Sequence, residues 1–449
     1  MNIDPQNEES RERGRFGRVL ARLVLVQPGE GKALALSAAY FFFLLFGYFI
    51  IRPIRDEMGV AGGIRNLKWL WLGTLVAMLA AHPVYAWLVG RLPRRRFIPL
   101  VYRFFALNLL AFWLAIEAAP AERQVNLGRA FYIWTSVFNL FAVSVFWSLM
   151  SDLFTREQGK RLFGAIAVGG TLGALTGSVV TAALTSGVSV GGVTVSVRPV
   201  MLLLVSAALL EVAAQCVRWL SRLSWAQEGT GGAVAGKSRE PGPGVWEGLR
   251  LLGTSPYLVL IALYMLCYAV TNTFLYVEQA RIAERFFPDR GQRTAFFAQV
   301  NLWTQVATVA VQVLLTGRVL RSIGVRRTLL AMPLFTIGGF AALLAHPAAW
   351  TLIAFQAASR AVHHGVDRPT REVLYTVVGQ EARYKTKQFI DTFVYRFGDQ
   401  AGIWAESAMA VLAVPSAAAA IGIGAVWACV AALLGVQHGR RVGAGTERA

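Results

Sequence analysis

Charged residues are scarce in this 449-residue chain, since Asp, Glu, Lys and Arg together make up only 15% of it. Soluble domains usually carry about 25% charged residues. Hydrophobic residues make up 55% of the positions, and this composition excludes a soluble protein of two or three domains. Because roughly 20 apolar residues cross a bilayer as one helix, the chain is long enough for many membrane-spanning helices joined by modest loops.

Cysteine and histidine are also scarce, with three and five residues. Cys216, Cys267 and Cys429 lie in apolar stretches without a CxxC spacing, so we interpret them as small apolar side chains. The histidines show no HExxH or other ligand spacing, and no GxSxG motif lies between a strand and a helix. We therefore expect no catalytic residue, no metal and no cofactor, and the sequence does not indicate an enzyme.

The apolar stretches accommodate twelve membrane-spanning helices. Three long stretches each divide into two helices, after Thr185, at Pro347 and near Pro415, and Phe97–Ile116 gives one more. The remaining five helices are stretches without ionised residues: Ala33–Ile51, Trp69–Gly90, Ala130–Ser151, Leu251–Val277 and Thr294–Gly317. The sequence thus predicts an all-α integral membrane protein.

The net charge of +19 comes from 44 basic and 25 acidic residues. If the N-terminus is cytoplasmic, 30 of the basic residues fall in cytoplasmic segments and 11 in external loops, as the positive-inside rule requires. We therefore expect a multi-pass membrane protein with both termini in the cytoplasm. Since the basic residues follow the topology, they give no support for nucleic acid binding.

The chain is predicted to contain two six-helix halves, 32–220 and 250–437. A flexible cytoplasmic linker covers 221–249, and cytoplasmic tails cover 1–31 and 438–449. Two six-helix repeats facing a central cavity are the architecture of the major facilitator class. Features recur at offsets of 225 to 227 residues: Gly90 with Gly317, Gly173 and Gly177 with Gly398 and Gly402, and Lys160 with Lys385.

Two arginines near the end of the first span form a candidate anion site. Arg52 and Arg55 are three residues apart, and Pro53 between them can open the helix locally. Arginine makes bidentate bonds to phosphate and carboxylate, so the pair suits a multivalent anion. The alternative is that both side chains reach the outer membrane interface. Glu278, at the equivalent depth of the seventh span, either pairs with Arg55 or lies at that interface.

The eleventh span is the most polar, with Arg396, Asp399 and Glu406 on one helical face and Asp391 before them. Ionised residues inside a membrane normally face a cavity or a partner. This face therefore either lines the substrate path or holds the bundle together through ion pairs. In the fifth span, the spacing of Gly173 and Gly177 is typical of close helix packing, with sliding between helices as the functional alternative.

Several motifs resemble those of the nucleotide (ATP/ADP) translocase family, which exchanges NTP for NDP. The most specific stretch contains Asp367, Thr370-Arg371-Glu372, Tyr375, Lys385, Lys387, Ile390-Asp391, Arg396 and Gly398. Shorter matches are Gly47-Tyr48 with Arg55-Asp56, Phe146-Trp147 with Lys160-Arg161, and Tyr276-Val277-Glu278. The chain departs from the family at three positions. Arg55 and Arg371 replace lysine, and Asp399 replaces a lysine that follows the glycine of the eleventh span.

The resemblance implies a secondary transporter that moves an anionic solute, such as a nucleotide, by alternating access in the lipid bilayer of the bacterial inner membrane, and we expect a monomer. The expected substrate-binding residues are Arg52, Arg55, Glu278, Arg371, Asp391 and Arg396. The expected residues of a cytoplasmic gate or of ion coupling are Asp56, Lys160, Arg161, Glu372, Lys385, Lys387 and Asp399.

Three other functions are compatible with the same composition. A proton-coupled exporter of a neutral or cationic molecule keeps the fold and changes the cargo. A membrane scaffold or sensor is disfavoured because no soluble domain is apparent. A membrane-embedded transferase would need a metal or acid cluster at an interface, and the sequence shows none.

Overall fold

The computed structural model describes residues 26–27, 29–91, 94–190, 193–228, 250, 252–253, 255–314, 324–378, 386–387 and 389–446. Nearly all of these residues are helical. Two three-residue strands, β1 (Val188–Val190) and β2 (Val193–Val195), pair antiparallel between two helices.

The helices fall into two sets along the chain. The N-terminal set is α1 (Gly31–Ala61), α2 (Leu67–Arg91), α3 (Arg94–Ala118), α4 (Ala121–Leu153), α5 (Arg156–Ser186) and α6 (Leu202–Glu228). The C-terminal set is α7 (Pro256–Phe286), α8 (Arg290–Leu314), α9 (Val325–Ala345), α10 (Ala349–Val362), α11 (Arg368–Leu374), α12 (Tyr395–Val411) and α13 (Ser416–Thr446). Short 3₁₀ turns occupy Ile64–Asn66, Pro199–Met201 and Tyr375–Val377.

Two π-helical segments interrupt the C-terminal set. His363–Asp367 joins α10 to α11, and Ile390–Val394 leads directly into α12. Each therefore belongs to a continuous helical rod rather than to a loop. π-Helical turns inside helices are rare and concentrate at functional sites.

Eight helices of the described ranges are long and apolar enough to cross a membrane, so the chain is a multi-pass membrane protein. The predicted helix breaks are confirmed: α5 ends at Ser186, α9 ends two residues before Pro347, and Pro415 directly precedes α13. Pro53, by contrast, lies inside α1, and the helix continues through it without opening.

Glycines bring α5 against the backbone of α1. A Cβ atom at Gly173 would overlap the carbonyl oxygen of Phe42, and one at Gly177 would lie 2.7 Å from that of Phe46. Such close approach is possible only without a side chain. The predicted close packing of the fifth span is confirmed.

Glycines of α12 pack against α7 in the same way. A Cβ atom at Gly398 would lie 2.6 Å from Ala269 Cβ, and one at Gly402 would lie 2.9 Å from Thr273 Cβ. The glycines follow their counterparts in α5 by 225 residues, and the contacted residues follow those of α1 by 227. Two helix pairs therefore make corresponding contacts.

The described residues form three buried apolar clusters. One contains only residues of the N-terminal set, including Tyr40 and Phe146, and another only residues of the C-terminal set, including Tyr264. The third mixes both sets and includes Tyr132 and Phe274. Each set thus has its own core, and the mixed cluster joins them.

Candidate functional site

Polar contacts join the two sets at the end of the bundle where α1 stops, here called the Glu57 end. The buried Glu57 Oε1 lies 3.1 Å from Arg290 Nε and 3.4 Å from Arg293 Nη2, both at the start of α8. Lys68 of α2 donates a hydrogen bond of 2.9 Å to Ser407 of α12. These contacts and the mixed apolar cluster close the interface between the sets at this end.

The opposite end, where α1 begins and here called the Glu30 end, contains ion pairs within each set. Arg161 Nη2 of α5 lies 2.8 Å from Glu30 Oε1, and this guanidinium holds the pKa of the Glu30 carboxyl below its usual value. In the C-terminal set, Lys387 Nζ lies 2.6 Å from Glu372 Oε2. These pairs therefore stabilise each set separately.

Two polar cavities lie on neighbouring faces of α1, in its C-terminal third, and both take residues from both sets. The first, called the aromatic cavity, has a volume of about 190 Å³ and is lined by Tyr48, Arg55, Trp71, Tyr132, Arg396, Asp399 and Gln400 among others. The second, called the amide cavity, has a volume of about 230 Å³ and is lined by Arg52, Asp56, Gln279, Asn301, Gln305, Gln356, Arg360 and His364 among others.

A hydrogen-bonded partition separates the two cavities. The Arg55 guanidinium lies 4.1 Å from the centre of the Tyr132 ring and 3.6 Å from Asp56 Oδ1. The Tyr276 hydroxyl donates to Asp56 Oδ1 over 3.1 Å and lies 3.1 Å from the Tyr132 hydroxyl. Because Tyr276 belongs to α7 and Tyr132 to α4, the partition connects the two sets next to both cavities.

The expected pair of guanidiniums is split between the cavities, since Arg52 lines the amide cavity and Arg55 the aromatic cavity. On a helix, positions three apart are offset by about 60°, which is enough to reach different spaces. Glu278 contacts Arg281 Nη1 at 2.8 Å and the Ser416 hydroxyl, so its possible pair with Arg55 does not form.

Arg396 and Asp399 of the eleventh predicted span both line the aromatic cavity, where their side chains lie 3.5 Å apart. Asp399 is buried, whereas about half of the Arg396 side chain is exposed. Glu406, on the same face, pairs with Arg281. This face therefore lines a cavity and also holds the bundle together through an ion pair, so it combines the two alternatives.

Arg371 and Asp391 are brought together at 3.5 Å, but away from both cavities. Arg371 Nε also lies 3.4 Å from Asp367 Oδ2, which His363 Nδ1 approaches at 3.1 Å. The Tyr264 hydroxyl donates to the other oxygen of this carboxylate over 2.5 Å. The first π-helical turn is thus fixed by a buried polar network.

The expected gate residues do not form one group. Arg161, Glu372 and Lys387 lie at the Glu30 end, whereas Asp56 and Asp399 line the cavities. Asp56 cannot share a gate with Arg161. Asp56 lies near the C-terminal end of α1, whereas Arg161 of α5 contacts Glu30 at the N-terminal end of α1. The Lys160 side chain and Lys385 lie outside the described residues.

The sequence did not single out Arg360 or the buried amides. Arg360 follows directly after an apolar stretch that ends at Ser359, and it lies in α10 and lines the amide cavity. Asn301 and Gln305 are four residues apart and share a face of α8, which is the signal that could have found them. A search confined to charged residues overlooks such neutral polar pairs.

Solved structures of transporters share this fold. A nucleoside transporter, NupG, matches with a TM-score of 0.58 at 11% identity, over 93% of this chain and 99% of that one. A bacterial homologue of the iron transporter ferroportin matches with a TM-score of 0.57 at 12% identity, over 96% and 99%. The fold is therefore that of major-facilitator-like membrane transporters.

The family follows from the sequence itself. A model of the TLC ATP/ADP transporter family matches residues 130–355, just over half of the chain. The chain is also 25% identical to ADP,ATP carrier protein 1 of Chlamydia muridarum, over 86% of this chain and 83% of that protein. The protein belongs to the TLC ATP/ADP transporter family, and the expected resemblance is confirmed. Members of such a family are transporters rather than enzymes.

Proposed function

We propose that this protein is a secondary transporter that carries a nucleotide-type anion across the bacterial inner membrane by alternating access. The observation that carries the proposal is the set of guanidiniums, from both helix sets, that line cavities between those sets. Arg52 and Arg55 come from α1, Arg360 from α10 and Arg396 from α12. Cationic groups inside a membrane protein normally serve a partner or a substrate, and arginine suits phosphate.

Twelve membrane-spanning rods are part of the proposal. Besides the eight apolar helices, α2 and α8 have 25 residues each. The rod from α10 through α11 and the rod formed by the second π-helical segment and α12 add two more. The corresponding glycine contacts of α5 and α12 support a repeat of two six-helix units. Both cavities are complete within one chain, which supports a monomer.

The orientation proposed from the basic residues places the Glu30 end in the cytoplasm. The Glu57 end, with its contacts between the sets, then faces outward and is closed in this structure. Outward opening requires separation of Glu57 from Arg290 and Arg293, and of Tyr132 from Tyr276. All of these contacts are polar and can be replaced by water or by substrate.

Exchange of labelled ADP for unlabelled ATP in proteoliposomes tests the proposal. We expect Arg55→Ala to lower the exchange rate at least about tenfold, because a charge-assisted bond to the anion is lost. The control is Arg285→Ala, which removes an exposed guanidinium of α7 that lines neither cavity. Folded wild-type protein that exchanges no nucleotide would rule out this substrate class, and a fully active Arg55→Ala would remove Arg55 from the site.

A proton-coupled exporter of a neutral or cationic compound is the second candidate. Asp399 favours it, because this buried carboxylate shares a cavity with Tyr48, Trp71 and Tyr132, and aromatic rings with an acid suit a cation. A pH gradient across proteoliposomes that drives uptake of an aromatic cation, without nucleotide exchange, would favour this function. Saturable nucleotide exchange that is insensitive to the gradient would favour the first.

A further inference from the structure

The two cavities differ in how their cations are compensated. In the aromatic cavity, Arg55 lies 3.6 Å from Asp56 and Arg396 lies 3.5 Å from Asp399. Arg52 and Arg360, in the amide cavity, have no carboxylate within 4.0 Å among the described residues. Uncompensated charge in a protein interior is costly unless a ligand completes the site. Asp56 also lines the amide cavity, but it contacts Arg55 and Tyr276, so among the described residues no carboxylate compensates Arg52 or Arg360 directly.

Residues that line the amide cavity also have buried polar atoms without hydrogen-bond partners. Asn301 Nδ2, Gln356 Oε1 and Arg52 Nε are buried and make no hydrogen bond. The Asn301 and Gln356 residues are only 7% and 5% exposed. Since buried polar groups are nearly always paired, these atoms indicate a polar ligand. Two of them are donors, which suits the oxygens of an anion, and the third can accept from a hydroxyl group.

The aromatic cavity offers the complementary chemistry. The Tyr48, Trp71 and Tyr132 rings line it, and Trp71 Nε1 and Gln400 Oε1 are buried without hydrogen-bond partners. Aromatic rings stack on any nucleobase, and amide side chains recognise the edge of a base through a donor and an acceptor. This cavity is therefore suited to a flat group with hydrogen-bonding edges.

We propose that the amide cavity holds the phosphate chain of the transported nucleotide through Arg52 and Arg360, and that the aromatic cavity holds its base. This assignment rests on the function proposed above and divides that site into two subsites, which one nucleotide spans once the Tyr132–Tyr276 contact between the cavities has opened. Because Arg52 belongs to the N-terminal set and Arg360 to the C-terminal set, one phosphate chain contacts both. Binding of the chain therefore draws α1 and α10 together, and a nucleoside without phosphates lacks this effect.

Binding of two partial ligands to the purified full-length protein separates the subsites. Tripolyphosphate has the phosphate chain without a base, and adenosine has the base without phosphates. We expect Arg360→Gln to raise the tripolyphosphate Kd about tenfold to a hundredfold, as for loss of a charge-assisted bond, and to leave the adenosine Kd unchanged. Trp71→Leu should weaken adenosine and leave tripolyphosphate unchanged. Isothermal titration calorimetry measures the Kd of each ligand for the wild type and for both variants.

The matched control is Arg368→Gln, which removes an exposed arginine from the same helical rod. If Arg360→Gln does not fold, Arg52→Gln tests the same subsite, and Arg360→Lys keeps the charge with an expected intermediate Kd. The subsite is overturned if folded Arg360→Gln and folded Arg52→Gln both bind tripolyphosphate with the wild-type Kd. It is also overturned if these variants lose affinity for tripolyphosphate and for adenosine equally. Wild-type protein that exchanges ADP but binds no tripolyphosphate also overturns it. Absence of nucleotide exchange in the wild type would instead refute the proposed function.

Discussion

α5 and α8 both pack against α1, but they do so through different chemistry. α5, from the same set, approaches the α1 backbone through Gly173 and Gly177. α8, from the other set, meets the end of α1 through Arg290 and Arg293 with Glu57. Water does not substitute for close packing between two helix backbones. The charged groups of an ion pair near the end of a helix, in contrast, can bind water when they separate. Contacts within a set are thus suited to permanence, and contacts between sets to repeated opening.

The largest effect is expected from filling the closest contact within a set. Gly173→Val places a Cβ atom where it overlaps the Phe42 backbone, and adds two methyl groups to it. Overpacking costs about 1–3 kcal/mol even where side chains can shift, and backbone atoms shift less. We expect a lower yield of monodisperse protein and a melting temperature lower by several degrees.

Gly164→Val is the control for this substitution, because no atom lies within 4 Å of the Cβ position at Gly164 in the same helix. A valine is otherwise equally unfavourable in both helical positions. Equal melting temperatures for the two variants would show that backbone contact with α1 does not stabilise the N-terminal set.

The second largest effect is expected between the sets. Glu57→Gln removes the carboxylate that holds Arg290 and Arg293, so the closed Glu57 end loses stability relative to the open form. Couplings of this kind change the ratio of two conformations, here the closed and the open form, by about 5-fold to 150-fold. We expect slower nucleotide transport. We also expect faster hydrogen exchange of the backbone amides at the end of α1 and at the start of α8, with little change in the yield of folded protein.

Glu122→Gln provides the comparison, since this exposed acid at the start of α4 also lies at the Glu57 end. The interpretation of Glu57 as a reversible contact fails if Glu57→Gln unfolds the protein as Gly173→Val does. It also fails if hydrogen exchange at the Glu57 end matches that of Glu122→Gln.

The sequence predicted the features that depend on local chemistry. Pro347 and Pro415 marked helix breaks because proline disfavours a continuing helix, and the glycine spacing of α5 indicated close packing. The family resemblance placed Arg55 and Arg396 at a site, and both line the aromatic cavity. These inferences needed only the identity and spacing of neighbouring residues.

Features that depend on which helices are neighbours were beyond the sequence. A spacing of three residues could not show that Arg52 and Arg55 face different cavities, because that depends on the helices packed against α1. Arg103 and Glu211 interrupt separate apolar stretches, and only the structure shows that they form a bidentate pair between α3 and α6. Arg360 lies one residue beyond an apolar stretch, so its position in a helix was hidden.

A smaller effect is expected from an ion pair within one set. Arg161→Gln removes the partner of Glu30 at the Glu30 end, where about a fifth of the Arg161 side chain is exposed. Such pairs contribute about 0–1 kcal/mol. The pKa of Glu30 is lowered by Arg161, so the stabilisation is present above the ordinary value of 4.5 and is lost as the pH falls through the lowered pKa.

We therefore expect wild-type protein to melt slightly above Arg161→Gln at pH 7, and the two to converge as the pH falls through the lowered pKa of Glu30. Melting curves at several pH values measure this difference. A gap that persists in acid would mean that Arg161 stabilises α5 through packing of its aliphatic part rather than through its charge.

The smallest effect is expected from a partly exposed contact between the sets. Ser407→Ala removes the hydroxyl that accepts from Lys68, while the ammonium remains 5.1 Å from the centre of the Trp404 ring. Because water can replace the lost hydrogen bond, we expect exchange rates within about twofold of the wild type. Glu57, in contrast, is buried, and its partners Arg290 and Arg293 are only partly exposed. A loss as large as that of Glu57→Gln would show that opening depends on the whole polar contact between the sets rather than on its buried ion pair.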